Sequence, residues 1–528
     1  MAYQRHGSSR DLVQLHEADI ESQLRQGTFK PILLYQVVLF NLLPLLGLII
    51  PRHRGGKYIR RSIFALSLGI AAQIFKSHRG LLGGNGYMFG LITAWWLIWS
   101  AGLLVFTDIE SAFQRIERGA ATAITTTGKS GSARVEVSDA IRHNQVNSPD
   151  RKKQESGDIF HWQPYPQKLS HRLEWCAGLL FNLRGPEWNW RAPHLGPLPR
   201  SVHSQIHDGF ISDKFEPVDD NMYPSSKVRL KDAFRTCLIH YFLLDCLKAV
   251  MMRDPYFRGT STTASPPFPL SYLEAFPLAI RFYHIFVSCV GVYVALSFVT
   301  SLNPICFLGL SLAFPNASKK LTAAPLDAPW LYAESFGPFF EPILDHGLAG
   351  CWGRWWHQLF RNGFTTTAQW ILSLFPDKIA HDASYKRMVH IVVAFSLSGF
   401  IHACGSHTQF TETHPLSGPF LFFNMQSLAV ISEYIFKTVI FPRLPLSQTP
   451  RSLRRSGNAI FTFSWLLFSG ACMADDFARG GLWLVEPIPL SPLRGLGIAN
   501  GSGWWCWEGA WFRYWNDGTY WGSGIRVV

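Results

Sequence analysis

Long runs without a single acidic or basic side chain recur through this sequence, and they limit its fold more than any other feature. Pro31 to Pro51 and Tyr87 to Thr107 carry none, and Phe282 to Ser318 carries only His284 as a group that could be charged. Met388 to Thr411, Pro415 to Ser432 and Ser456 to Ala474 are equally free of Asp, Glu, Lys and Arg. Crossing the hydrocarbon core of a bilayer takes about 20 residues of helix, so runs of this length read as membrane spans. One such run would suit a core helix of a soluble enzyme, but six in one chain do not. Adding the shorter segments Ser62 to Phe75 and Leu238 to Met251 brings the expected number to about eight, with a ninth candidate between Leu482 and Ile498.

Composition agrees. Charged residues make up 16% of the 528, against about 25% in soluble proteins, and 20 Trp, 16 Tyr and 40 Phe raise the aromatic share to 14%. The net charge of +13 would suit a nucleic-acid partner if it were spread over a soluble face. It is instead gathered beside the apolar runs, at Arg52, Arg54, Lys57, Arg60 and Arg61 and again at Arg443, Arg451, Arg454 and Arg455. Such clusters are positive-inside signals. Placing the first in the cytosol sets the N-terminus on the far side and brings the second, by counting spans, back to the cytosol. The expected partners are a bilayer and membrane-dissolved molecules, with no nucleic acid.

The nine cysteines form no CxxC pair and no regular framework, so neither a disulfide scaffold nor a metal site is expected. No cleavable leader is expected either, since the sequence is polar through Lys30; the first span is expected to direct the chain to the endoplasmic reticulum as a multi-pass membrane protein. The chain divides into a polar arm at 1–30, helical across His16 to Gln26; first transmembrane helices at 31–107; and a cytosolic loop at 108–235. That loop has a low-complexity part near 119–167, too rich in Thr, Ser, Gly and charge to bury much. Central spans at 236–318, a cytosolic motif-bearing loop at 319–387, C-terminal spans at 388–498 and a tail at 499–528 complete it. Trp188 and Trp190, after the break at Arg184-Gly185-Pro186, read as interfacial anchors, or else as walls of a lipid-facing entrance.

Two local patterns carry chemistry. In Phe395-Ser396-Leu397-Ser398-Gly399-Phe400-Ile401-His402 an apolar segment ends on an imidazole. On a helix Phe395, Gly399 and His402 share a face with Ser398 one turn before the histidine, and Gly399 admits a neighbouring helix. Ionisable groups within spans face a cavity or a partner. A buried imidazole stays neutral and can take a proton from an alcohol as a general base; the plainer reading is a histidine hydrogen-bonded to the next helix. The second pattern is Cys351-Trp352-Gly353-Arg354-Trp355-Trp356-His357-Gln358-Leu359-Phe360. Read as a helix it sets Arg354, His357 and Arg361 near one face, with the tryptophans as apolar anchors of an interfacial helix. In the sharper reading His357 shares a chamber with His402 and orients an acyl carbonyl. Cys404 is a weak candidate nucleophile, since two residues along a helix turn it away from His402.

The Trp-Gly-Arg-Trp-Trp-His-Gln run resembles a signature of the wax synthase-like branch of the membrane-bound O-acyltransferases. Ser398-Gly399-Phe400-Ile401-His402 resembles that family's second signature, and Arg184-Gly185 with Trp188-Asn189-Trp190 is similar to an upstream pattern in fungal members. The resemblance is strongest over about 330–445. It implies an all-α polytopic bundle whose chamber is reached by acyl-CoA from the cytosol and by a lipophilic alcohol through the bilayer. Carried onto this chain, His402 and His357 are catalytic, and Arg354, Trp355, Trp356, Gln358, Arg361 and Ser398 are substrate-binding. Many relatives have asparagine or aspartate where this chain has His357. No tightly bound cofactor or metal is implied; acetyl-CoA or another acyl-CoA is the co-substrate. The expected reaction is acetyl transfer to a hydroxyl of a terpenoid-type secondary metabolite, with long-chain wax-ester synthesis as the alternative. A transporter or non-catalytic scaffold is the competing class, although no internal repeat supports it.

Overall fold

The computed structural model describes residues 9–119, 159–206, 216–261, 265–443, 449–499, 501, 503–507 and 509–528. The principal helices are α1 (Ser9–Arg25), α2 (Leu34–Ile49), α3 (Gly56–Ser77), α4 (Tyr87–Ala101), α5 (Leu169–Leu180), α6 (Ser226–Met251), α7 (Pro277–Asn303), α8 (Arg361–Leu372), α9 (Ala383–Thr408), α10 (Leu421–Ile435), α11 (Arg451–Ser469) and α12 (Ala471–Arg479). The protein is predominantly helical, and among the described residues four helical stretches are long and apolar enough to cross a membrane: Tyr87–Phe106, Pro277–Ala313, Ala383–Thr408 and Arg451–Arg479. Helix α2 is apolar but shorter. The ninth candidate is corrected: Leu482 to Ile498 contains only the turns Leu482–Leu484 and Pro492–Gly495. Pro487, Pro489 and Pro492 break the helical hydrogen-bond ladder there.

Among the described residues six short strands add to the helices. Lys30–Leu33 (β1), His78–Arg79 (β2), Phe512–Trp515 (β5) and Gly524–Val527 (β6) form a sheet in the order β2-β1-β6-β5. Strand β1 runs parallel to β2 and antiparallel to β6, with Ile32 opposite Val527. The last residues of the chain thus cover the ends of α2 and α3. Arg115–Gly119 (β3) pairs antiparallel with Ile159–Gln163 (β4), Ile116 opposite Trp162; these are the two flanks of the low-complexity part, whose centre lies outside the described residues. Arg115, 1% exposed, anchors this pair by ion pairs to Glu117 and Glu174. A buried guanidinium needs such partners.

The site rests on the contact between α4 and α9. Gly90 lets the two backbones meet: a Cβ there would lie 2.0 Å from the Cys404 carbonyl oxygen and 2.4 Å from Thr408 Oγ1. The Gly90 N–H donates to Thr408 Oγ1 at 3.0 Å, and that hydroxyl donates to the Gly86 carbonyl at 3.0 Å. Small residues at a helix crossing work this way in membrane bundles. On the opposite side of α9, Phe420 packs over Gly399. The largest core cluster gathers Trp95, Trp96 and Trp99 of α4 with Trp175, Trp188, Phe364 and Ile401. Trp188 is 1% exposed and meets Trp175 edge to face at 4.9 Å, while Trp190 meets Trp99 at 5.7 Å. Trp188 is therefore core with Trp190 half-buried against it, and the interfacial-anchor expectation is corrected: the 184–190 turn folds inward because its indoles cover α4 and α5.

Candidate active site

The motif stretch is not one amphipathic helix. Cys351–Trp355 is a single π turn, the backbone is extended at Trp356, and α8 begins afresh at Arg361. Gln358 holds this break together, its amide donating at 2.8 Å to both the Trp352 and Trp356 carbonyls while its oxygen accepts from Arg361 at 2.9 Å. Breaking the helix here turns His357 inward, which a continuous helix would have set on the same face as Arg354.

His357 sits among rings, 5.4 Å from Trp356 and 6.0 Å from both Phe336 and Phe360. Its Nδ1 is buried without a hydrogen-bond partner. Burial pushes its imidazole down to about 4, so the ring is neutral at ordinary pH. His402 stacks on Phe423 at 4.8 Å. Aromatic side chains join the two histidines: Phe423 meets Trp352 at 6.0 Å, and Trp352 meets Trp356 at 5.8 Å. Forty-five residues of separation are thus bridged by ring contacts running from His357 through Trp356, Trp352 and Phe423 to His402.

The other expected residues divide. Trp356 packs against His357 at 5.4 Å; Trp355 turns toward Phe339 at 4.7 Å. Arg354 is exposed and donates to His346 at 2.7 Å, away from His357. Ser398 is half-buried on α9. Arg361 lies near His194, and here the structure adds a group that no motif marked. Both ring nitrogens of His194 are buried and unpartnered, and its imidazole is pushed down to about 3, first by burial and then by Arg184, Arg361 and Arg191. Backbone carbonyls hold two of those guanidiniums: Arg184 donates to Ala333 and Glu334, and Arg191 to Pro186, Leu195 and Gly196. Burial pushes Arg184 and Arg191 down to about 10, and both stay charged. Arg184, Arg191 and Arg361 make one positive wall around His194, with Glu187 as the acid beside Arg191. Tyr87, first residue of α4, was also unmarked; its hydroxyl lies 2.5 Å from His402 Nδ1. Among the described residues no cluster of three or more His, Cys, Asp or Glu could hold a metal ion.

The arrangement defines a helical multi-pass membrane protein with two histidines enclosed by aromatic side chains. Residues 332–425, which contain both, match the model of the Membrane bound O-acyl transferase family. The protein named Acetyltransferase eriL of Hericium erinaceus is 33% identical over 150 residues, 28% of this chain and 36% of that one. The O-Mevalon transferase macI of Penicillium terrestre is 28% identical over 150 residues, 26% of this chain and 34% of that one. The chain thus spans about a third of the length of the curated relatives it matches. No solved structure matches significantly. These similarities link the chain to acyltransferases at the level of the family.

Proposed function

We propose that this protein is an acyl-CoA-dependent O-acyltransferase that moves an acetyl group onto a hydroxyl of a lipophilic, terpenoid-type acceptor in the endoplasmic reticulum membrane. The observation that carries the reading is the run of ring contacts that links His357 through Trp356, Trp352 and Phe423 to His402. The acceptor hydroxyl gives its proton to His402 as its oxygen attacks the thioester carbonyl carbon. The tetrahedral oxyanion, stabilised by hydrogen-bond donation from His357, collapses as the carbon–sulfur bond breaks, and the imidazolium returns the proton to the thiolate. Atoms balance without an acyl-enzyme. A neutral imidazole can fill either role, taking a proton at one nitrogen or donating one from the other. Arg361, Arg184 and His194 line the side from which the phosphates of the carrier approach.

The relative named an acetyltransferase supports the acetyl donor; the other, named for a different transferred group, makes donor choice part of the test. Microsomes containing the full chain are assayed with acetyl-CoA and long-chain acyl-CoA against several lipophilic alcohols. Ester formation from acetyl-CoA that disappears in His402→Ala, with unchanged membrane accumulation, is the expected result. Wax esters formed from long-chain donors in preference would replace the acetyl assignment, and equal turnover by His402→Ala would remove His402 from the chemistry.

A further inference from the structure

His402 has a partner that its own motif does not supply. Tyr87 is 3% exposed, and its hydroxyl reaches His402 Nδ1 at 2.5 Å across 315 residues of sequence. The tyrosine ring stands edge-on to Phe477 at 5.2 Å and lies over Gly405, where a Cβ would approach it to 2.8 Å. The imidazole in turn is stacked on Phe423. Each ring is thus held by an aromatic neighbour as well as by the other.

An imidazole held at Nδ1 works through Nε2, and the direction of the Nδ1 hydrogen bond decides which nitrogen carries the proton. A phenol can donate or accept. The Tyr87 hydroxyl has His402 Nδ1 as its partner; a phenol that accepts there leaves Nε2 with its lone pair, whereas a phenol that donates puts the imidazole proton on Nε2. Resting on the acyl-transfer reading above, we infer that Tyr87 is a positioning residue whose oxygen accepts the Nδ1–H of His402, leaving the lone pair on Nε2 for the acceptor's proton. The same bond steadies the imidazolium that forms next. The titratable groups packed around the pair are His357 from the motif loop, Cys404 on α9 and Asp476.

Tyr87→Phe keeps the ring and its contact with Phe477 and removes only the oxygen. In microsomes, kcat is expected to fall about 10- to 100-fold, with KM for both substrates within about twofold of wild type. The acidic limb of kcat/KM moves to lower pH, because the imidazolium has lost its acceptor. A merely structural role would leave that limb in place. Unchanged kcat, or a limb displaced to higher pH, which would make Tyr87 the donor, overturns the inference. A second measurement needs no substrate: the rate of His402 carbethoxylation by diethylpyrocarbonate against pH, read by peptide mass spectrometry. Its midpoint is expected to fall in Tyr87→Phe, and an unchanged or raised midpoint refutes the bond as drawn. Wild-type microsomes that transfer no acyl group from any donor would sink the acyl-transfer reading, while this titration would still decide the Tyr87 bond. Should Tyr87→Phe fail to accumulate, Tyr87→Met, which also removes the oxygen, carries the same titration, with the same direction expected.

Discussion

Gly90→Ala puts the α4–α9 contact to the sharpest test. The added methyl would stand 2.0 Å from the Cys404 carbonyl oxygen and 2.4 Å from Thr408 Oγ1, both well inside ordinary carbon–oxygen contact on the order of 3.3 Å. One obstacle is backbone, so a rotamer change cannot relieve it and the helices must move apart. Overpacking of this kind costs about 1–3 kcal/mol. Separation also breaks the hydrogen bonds that run through Thr408 to Gly90 and Gly86, about 1 kcal/mol each. The helix preference for alanine returns about 1 kcal/mol, leaving a net loss of about 2–4 kcal/mol. Because Tyr87 lies one turn away on the same helix and bonds His402 across the same interface, activity should fall with stability. The control is Gly69→Ala in α3, where a Cβ meets nothing within 4 Å and neither property should drop. Thermal unfolding midpoints in detergent and turnover in microsomes give both readings. A Gly90→Ala protein that melts and turns over like wild type would refute the close approach of these helices.

Two further expectations concern charge. His357 and His194 are held down to about 4 and about 3, against about 6.5 in an unfolded chain. Below pH 6.5 the unfolded state therefore binds protons that the folded state refuses, and stability declines as pH falls from about 6.5 toward 4. His194→Gln should flatten that decline, measured as unfolding midpoint against pH, and a decline as steep as wild type would show that His194 is not buried as described. Arg361→Ala and Arg184→Ala should each raise KM for acyl-CoA severalfold with little change in KM for the alcohol, whereas Arg354→Ala, whose guanidinium is turned to His346, should not; equal effects from all three would remove the positive wall from donor binding.

The histidines were legible in the sequence for a physical reason: an imidazole inside or beside an uncharged run is hard to place unless it has work or a partner. Tyr87 was not legible, because a tyrosine at the start of an apolar helix is equally at home at a membrane interface, and its partner lies 315 residues away. His194 escaped for a related reason. Its surroundings come from Arg184, Arg191 and Arg361, and only the inward fold of the 184–190 turn brings the last of these close. The tryptophans of that turn were noted but set in the wrong place, since composition cannot separate an interfacial indole from a core one. Strands of two to five residues such as β1, β2 and β3 carry too few alternations to register as a pattern. At the motif itself, helical spacing put Arg354 and His357 on one face, and the π turn at Cys351–Trp355 with the extended residue after it separates them.

That break explains how a loop histidine can face a helix histidine at all. The segment leading into the motif is strapped to the bundle by groups with no place in the chemistry. Glu433 of α10, 6% exposed, accepts from the Leu348 and Ala349 N–H groups at 3.2 and 2.8 Å and is itself paired with Lys437 at 2.8 Å. A carboxylate on free N–H groups at the start of a helical turn is a strong, directional anchor. Asn458 of α11 donates to the Leu344 carbonyl at 2.8 Å, and Arg451 and Arg455 reach Asp345. Beyond the motif, α8 packs onto α4 through Phe364 against Trp95 and through Gly363, which has that indole at 2.8 Å from where a Cβ would be. With both ends fixed to different helices, the intervening residues cannot continue one helix; they have to turn, and Gln358 clasps the turn at the point where His357 enters. The placement of His357 is thus a property of α4, α10 and α11 as much as of the motif that carries it.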